Sequence, residues 1–308
     1  MILCCGEALI DMIPAPAPGG KDGFVPHPGG AVFNTAIALG RLGADTGLLT
    51  GLSTDMFGTQ LTDALTASYV DADLAIRSDR PTTLAFVKLI DGQATYSFYD
   101  ENSAGRMLTS EEMPALPGAI TALFFGGISL ACEPAADAYA NLLAREGKTR
   151  AVMLDPNIRP GFIQDVDRYR MRLNAMLGQS DIIKVSDEDL GWIAPDAQSL
   201  TGKVAILRDK GPSVVIVTLG REGAIGFLRD GAEVHVPAAQ ATVVDTVGAG
   251  DTFNAGVLAK LSETGQMHKD ALAALSVQSL RDAMAHGAKV AGITVSRAGA
   301  NPPWAREI

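Results

Sequence analysis

The chain has 308 residues, 47% of them hydrophobic and 19% charged, with a net charge of −10. That composition excludes a disordered chain and suffices for one large α/β core or two smaller ones. The acidic balance excludes a general nucleic-acid binder, which needs a basic face, but not a phosphate ligand held by a nest of backbone N–H groups.

No apolar run reaches the roughly 18 residues of a membrane span, so no membrane partner is expected. Residues 1–9 carry no basic region and read as a core strand, so no signal peptide is expected. There are three cysteines: Cys4 and Cys5 are adjacent and point to opposite faces of that strand, and Cys132 stands alone. An odd count without a framework fits a reducing cytoplasm. The four scattered histidines form no HExxH, and there is no CxxC.

Residues 1–10 read as one buried strand, apolar at Ile2, Leu3, Leu9 and Ile10 and interrupted by Gly6-Glu7. Asp11 follows directly, either as a turn residue or as an acid facing a ligand. Residues 14–28 are rich in Pro and Gly, cannot hold a helix, and read as loop and short edge strand. Gly29-Gly30-Ala31-Val32-Phe33-Asn34 then runs into a helix ending near residues 40–43, with Val32, Phe33, Ala36, Ile37 and Gly40 on a buried face. The glycine pair is a tight turn, or it lets the backbone and Asn34 reach a polyol. Residues 82–90 and 93–99 alternate on either side of Asp91-Gly92, a strong hairpin signal. This hairpin should project as a small sheet over the site. Phe98 then belongs either to that sheet's core or to the ligand.

From residue 119 strands alternate with helices: strands at 122–125, 151–154, 181–185 and 213–218, with a helix at 134–146. That pattern predicts a mostly parallel sheet covered on both faces, with ligands beyond the carboxyl ends of its strands. Asp11, Asn157 and Arg159 fall at such ends. Prolines on both sides make residues 155–160 a fixed loop, in which Arg159 is a surface ion-pair residue or an anchor for the ligand. Ser186-Asp187-Glu188-Asp189 opens a helix, where acids suit the dipole. Lys184, just before, reaches a phosphate or is solvated. Gly220 and Gly223 lie between strands, outside any GxGxxG helix context, and there is no Walker A motif. Residues 269–294 read as helical or nearly so. Small residues there, Gly287, Ala288 and Gly292, suit a flat purine pocket or close helix packing.

The most informative stretch is residues 245–256. A β-rich run at 241–244 leads in, and Phe253, Val257, Leu258 and Leu261 mark one apolar helix face beyond it. Between them Gly248 and Gly250 let N–H groups crowd together. The first helical turn adds unpaired donors and about half a positive charge. This is an anion site. Asp251 at its mouth either caps the helix or takes a proton from a hydroxyl attacking a bound phosphate.

Asp245-Thr246-Val247-Gly248-Ala249-Gly250-Asp251-Thr252-Phe253-Asn254-Ala255-Gly256 resembles the second signature of the PfkB, or ribokinase-like, family of carbohydrate kinases. Residues 29–58 resemble its first signature. Gly6-Glu7-Ala8-Leu9-Ile10-Asp11 is similar to the opening of its bacterial fructokinases. The loop at 155–159 is similar to theirs and to that of the 2-keto-3-deoxygluconate kinases. Ribokinases usually carry Lys where this chain has Ala31, which leans away from ribose.

The resemblance implies a single ribokinase-like α/β domain over residues 1–308, with a β lid from about 12–28 and 82–104. It implies ATP-dependent phosphorylation of a primary sugar hydroxyl, with fructose to fructose 6-phosphate as first choice and 2-keto-3-deoxygluconate or ribose as alternatives. A non-catalytic sugar or nucleotide sensor on the same scaffold is the reading from another class. In the family Asp251 would be the general base, and Gly248, Ala249 and Gly250 the anion hole. Asp11, Gly29, Gly30, Asn34, Phe98, Asn157 and Arg159 would contact the sugar. Lys184, Ser186, Thr218, Gly220, Gly223 and Ala288 would join Gly248 and Gly250 around ATP. Mg²⁺ would be held through water near Asp189, although Ser186 and Asp189 stand where the family motif has Asn and Glu. A monovalent cation, K⁺, would sit near Asp245, Thr294 and Gly299. The lid often carries a dimer contact, so a homodimer through the lid is implied.

Overall fold

Strands apolar on both faces need cover on both sides, and the architecture supplies it. The computed structural model describes residues 1–19, 21–90 and 93–308. In the first third of the chain it forms β1 (Ile2–Cys5), β2 (Leu9–Ala17), β3 (Lys21–Gly29), α1 (Ala31–Arg41), β4 (Thr46–Leu49), β5 (Gly51–Ser53), α2 (Met56–Ala67), β6 (Val70–Asp71), β7 (Ile76–Ser78), β8 (Leu84–Ile90) and β9 (Gln93–Tyr99). The middle forms β10 (Ala122–Gly126), α3 (Ala135–Glu146), β11 (Ala151–Asp155), α4 (Val166–Leu177), β12 (Ile182–Ser186), α5 (Asp187–Ile193) and α6 (Leu200–Arg208). The remainder forms β13 (Val214–Thr218), β14 (Ala224–Leu228), β15 (Glu233–Val236), α7 (Ala249–Glu263), α8 (Lys269–Ala273) and α9 (Val277–Val295).

Nine of the described strands make one sheet in the order β15-β14-β13-β12-β11-β10-β1-β4-β6. It is parallel except for β14 and β15, which pair antiparallel at one edge. Successive residues point to opposite faces of a strand. Ile2 and Cys4 therefore join the core under α1, α7 and α9, while Leu3 and Cys5 join the core under α3, α4 and α6. The sheet is thus a mostly parallel one with helices on both faces, as the strand–helix alternation predicts. All three cysteines are free and buried. Among the described residues no helix is long and apolar enough to cross a membrane.

A second sheet, in the order β3-β2-β8-β9, forms the lid. Strands β8 and β9 pair antiparallel from Leu84↔Tyr99 to Ile90↔Gln93, as the alternation predicts, while the turn residues Asp91 and Gly92 lie outside the described residues. The first stretch differs from expectation. Residues 1–10 are two strands in two sheets, broken at residues 6–8. A Cβ at Gly6 would sit 2.5 Å from Val32 Cγ2, so the backbone passes too close beneath α1 to continue the first strand's path with a side chain there. Residues 14–17 and 21–28 are strand in a long β2–β3 ribbon rather than loop with a short edge strand, and 18–19 belong to its turn. The ribbon tolerates its prolines because Pro26 and Pro28 are on the edge strand, and Pro14 and Pro16 lie beyond the β2–β8 pairing at Ile10, Asp11 and Met12.

Near the carboxyl end one more expectation is corrected and another holds with a break. Residues 241–244 form no strand; Val243 and Val244 are exposed, with no described strand beside them to complete a ladder. The span 269–294 is two helices, α8 and α9, parted where the Ser276 hydroxyl accepts from Ser279 N and starts the second. Helices α7 and α9 meet at their glycines: a Cβ on Gly256 would lie 2.6 Å from Gly287 Cα. Close helix packing therefore accounts for Gly287.

Candidate active site

A cleft of about 740 Å³ lies where the lid, the carboxyl ends of the parallel strands and the first turns of α1 and α7 converge. From α7 it takes Gly248, Ala249, Gly250 and Asp251. Gly248 is the N-cap with φ 78°, a left-handed backbone that a side chain would disfavour. The N–H groups of Gly250 and Asp251 have no acceptor among the described residues, while Ala249 N leans on Thr246 O at 3.3 Å. Free donors at the positive end of a 15-residue helix make an anion cradle open to the cleft.

Asp251 is 8% exposed, and its Oδ2 accepts from Asn34 Nδ2 at 2.9 Å. The Thr35 hydroxyl lies 3.0 Å from Ala31 O and 3.2 Å from the Asp251 carbonyl and shares its one proton between them, so one turn of α1 meets Asp251 at both side chain and backbone. Burial pushes the Asp251 carboxyl up to about 7; the Asn34 amide and the Lys184 ammonium oppose this, while Asp155 and Glu7 add to it. The result is a carboxylate that can accept a proton near neutrality, set beside an anion cradle.

The opposite wall is polar and aromatic. Asp11 reaches the cleft from lid strand β2 rather than from a tip of the parallel sheet, and burial pushes its carboxyl up to about 6. Gly29 does not line the cleft; a Cβ there would overlap the Asp11 carboxylate, so this glycine makes room for it. Gly30, Asn34, Asn157 and Arg159 all face the same space. Asn157 adopts φ 44°, a left-handed conformation that Asn tolerates, and the loop is fixed where Ile158 N donates to Asp189 Oδ1 at 2.9 Å. Phe98 from the lid packs edge-on against Phe162 of the body, with ring centroids 4.2 Å apart. It also stacks on Tyr96 within the lid and lines the cleft.

Residues 1–306 match the model of the pfkB family carbohydrate kinases. The chain belongs to the PfkB family. A fructokinase of Rhizobium leguminosarum bv. trifolii is 50% identical over 284 residues, covering 92% of this chain and 86% of that one. A fructokinase of Klebsiella pneumoniae is 33% identical over 274 residues, covering 88% and 87%. The crystal structure of a Xylella fastidiosa fructokinase with bound ATP superposes with a TM-score of 0.88 at 28% identity, covering 97% of this chain and 93% of that chain.

In this PfkB chain the remaining expected site residues lie outside the cleft's lining. Ser186 and Thr218 are neighbours in register at the tips of β12 and β13, and Gly220 and Gly223 follow in the next turn. Ala288 packs against the core. Lys184 is not solvated: its ammonium is buried 2.8 Å from Asp155 Oδ2, which also accepts from Asn254 Nδ2 at 2.7 Å. Asp189 is buried, its N–H donates to the Ser186 hydroxyl oxygen at 3.0 Å, and its proton affinity is raised by burial and by Asp155. Asp245 and Gly299 meet, Gly299 N donating to Asp245 Oδ2 at 2.9 Å, with Val247 N on Oδ1. The Thr294 hydroxyl turns back onto Val290 O, and the Thr294 and Gly299 carbonyls each accept an N–H. Each of these oxygens keeps a second lone pair, and Asp245, Thr294 and Gly299 would be the groups to hold a cation there.

Sequence reasoning missed several groups. Glu7 lines the cleft and is buried, yet it reads as an interruption in a strand. Arg106 borders the cleft beside the lid, its guanidinium 2.9 Å from Asp100, which lies within the stretch 98–104 where the sequence places lid contacts. Tyr96, stacked 5.8 Å from Phe98, was signalled only by its even spacing along β9. Asp155 was visible as the start of the proline loop, but its buried partners come from residues 29 and 99 positions further on.

Proposed function

We propose that this protein is an ATP-dependent fructokinase that transfers the γ-phosphoryl group to the primary hydroxyl at C6 of fructose. One observation carries the reading: a buried carboxylate, Asp251, held by Asn34 at the mouth of free helix N–H donors, in a cleft that also contains Asp11, Asn157 and Arg159. The fructokinases that share 50% and 33% of its residues support the choice of sugar. The Xylella relative that binds ATP supports the nucleotide.

The Asp11 carboxylate accepts hydrogen bonds from sugar hydroxyls, and Asn157 and Arg159 complete the polar frame. Asp251 takes the proton of the attacking hydroxyl as the new oxygen–phosphorus bond forms and the bond from the γ-phosphorus to the bridging oxygen breaks, releasing ADP. The N–H groups of Gly250 and Asp251 bind the charge on the migrating phosphoryl group. Mg²⁺ would enter with ATP as part of that substrate and would offset the charge of its phosphates. Phe98 and Phe162 close the far wall and exclude water, which otherwise accepts the phosphoryl group.

A second reading has one observation in its favour. Among the described residues Arg159 has no carboxylate partner, its guanidinium bonding only Ile158 O, so it is available to a keto-acid such as 2-keto-3-deoxygluconate. A coupled ADP-release assay with fructose, 2-keto-3-deoxygluconate and ribose decides between them. The highest kcat/KM is expected for fructose. A preference for the keto-acid selects the second reading, and saturable sugar binding without ADP release selects a non-catalytic sensor.

A further inference from the structure

Glu7 is a buried acid with no part in the chemistry above. It sits at the break between β1 and β2, and both its carboxylate oxygens and its carbonyl are committed. Oε1 accepts from Ala31 N at 3.0 Å, its carbonyl accepts from Phe33 N at 3.2 Å, and Oε2 accepts from Ser129 N at 3.2 Å. The first two donors are free N–H groups at the start of α1, whose N-cap, Gly30, supplies no side-chain bond. Glu7 is therefore the cap of α1, delivered from 24 residues away. Two left-handed glycines are shaped around it. A Cβ on Gly30 would lie 3.0 Å from the Glu7 carbonyl oxygen, and one on Gly127 would overlap its carboxylate.

One turn further on, α1 presents Asn34 and Thr35 to Asp251. We propose that Glu7 is a positioning residue for the phosphoryl transfer: it pins the start of α1 to the loop after β10 and so fixes the grip of Asn34 and Thr35 on Asp251. This inference rests on the reading of Asp251 as the base. Its charge also bears on that base, together with Asp155 and Lys184 beneath and Asp11 and Arg159 along the cleft walls.

The test is steady-state kinetics across pH on Glu7→Gln, Glu7→Asp and Asp251→Asn, each alone, with the Glu7→Gln/Asp251→Asn double variant. Gln keeps the shape but turns an N–H₂ donor toward a backbone N–H and removes the charge. It should lower kcat about 10–100-fold, the cost of roughly an ångström of misplacement. KM for MgATP should stay within roughly threefold, and the acid limb of kcat/KM should move to lower pH. Asp keeps the charge but is too short to span both donors, so it should lower kcat with the limb in place. In the Asp251→Asn background, Glu7→Gln should cost nothing more, because the two act as a unit.

A Glu7→Gln enzyme with kcat within about twofold of wild type overturns the proposal. So does a loss that leaves the limb unmoved and adds in full to Asp251→Asn. Should Glu7→Gln not fold cooperatively, Glu7→Asp decides, and near wild-type kcat for it overturns the proposal. If Asp251→Asn itself keeps its kcat, the base assignment falls and this inference falls with it. A silent Asp251→Asn beside an unaffected Glu7→Gln removes Glu7 alone.

Discussion

Asp251 carries two predictions at the scale of a single side chain. Removing a general base typically slows turnover about 10²–10⁴-fold, roughly 3–5 kcal/mol of barrier. Asp251→Asn should lose kcat by that order while still binding ATP, measured by titration calorimetry beside the kinetics; a variant that keeps most of its kcat refutes the role. The second prediction concerns pH. Because burial holds the carboxyl up near 7, kcat/KM should fall about tenfold per unit once the pH drops below that value. The sign for stability is opposite. Between the unfolded value near about 4 and the native value of about 7, the native chain holds a proton that the unfolded chain releases, so stability declines as pH rises and the deficit is complete above about 7. Asp251→Asn removes the deficit. Its melting temperature relative to wild type should therefore climb between about pH 5 and about pH 8, as scanning calorimetry at both values reads.

Elements hold these side chains through close backbone contact, and that is where a methyl group matters. Gly256 on α7 faces Gly287 on α9 with no room for a Cβ. Gly256→Ala should part the helices, destabilise the fold by about 1–3 kcal/mol and lower kcat, because the same helix carries Asp251 at its first turn. Wild-type melting and turnover in this variant would mean the helices have slack. Legibility in the sequence also divides by element. The turn and helix starting at residue 245 were readable because glycine spacing, acid and apolar period all fall within the seventeen consecutive positions 245–261. The β/α alternation was readable for the same reason, since each strand or helix is a local pattern. The β2–β3 ribbon was hidden because proline rules out helix locally, while the tolerance of an edge strand is a property of its neighbours. Glu7 was hidden because its three donors come from residues 31, 33 and 129, and no local spacing announces a cap supplied from so far.

At the scale of the whole molecule, the cleft depends on two sheets meeting. The lid touches the body's strand-tip loop through Phe98 and Phe162, an aromatic pair of a kind worth about 0.5–1.5 kcal/mol. Phe98→Ala should raise KM for the sugar by up to about tenfold and increase the ATP hydrolysed per sugar phosphorylated. Parallel assays of ADP and sugar phosphate read that ratio; an unchanged ratio would mean the lid does not exclude water through this contact. Beneath the cradle lies a feature with a different consequence. Lys184 and Asp155 neutralise each other in the dry interior, and Asp155 Oδ1 finds no partner there among the described residues. Replacing either one strands the other's charge, at a cost of about 3–5 kcal/mol, whereas an apolar pair of similar volume is often tolerated. Neighbouring strands β11 and β12 are thus coupled in inheritance at these two positions: a lineage crosses from the ionic to an oily solution most cheaply by exchanging both together, since each half-step strands a buried charge.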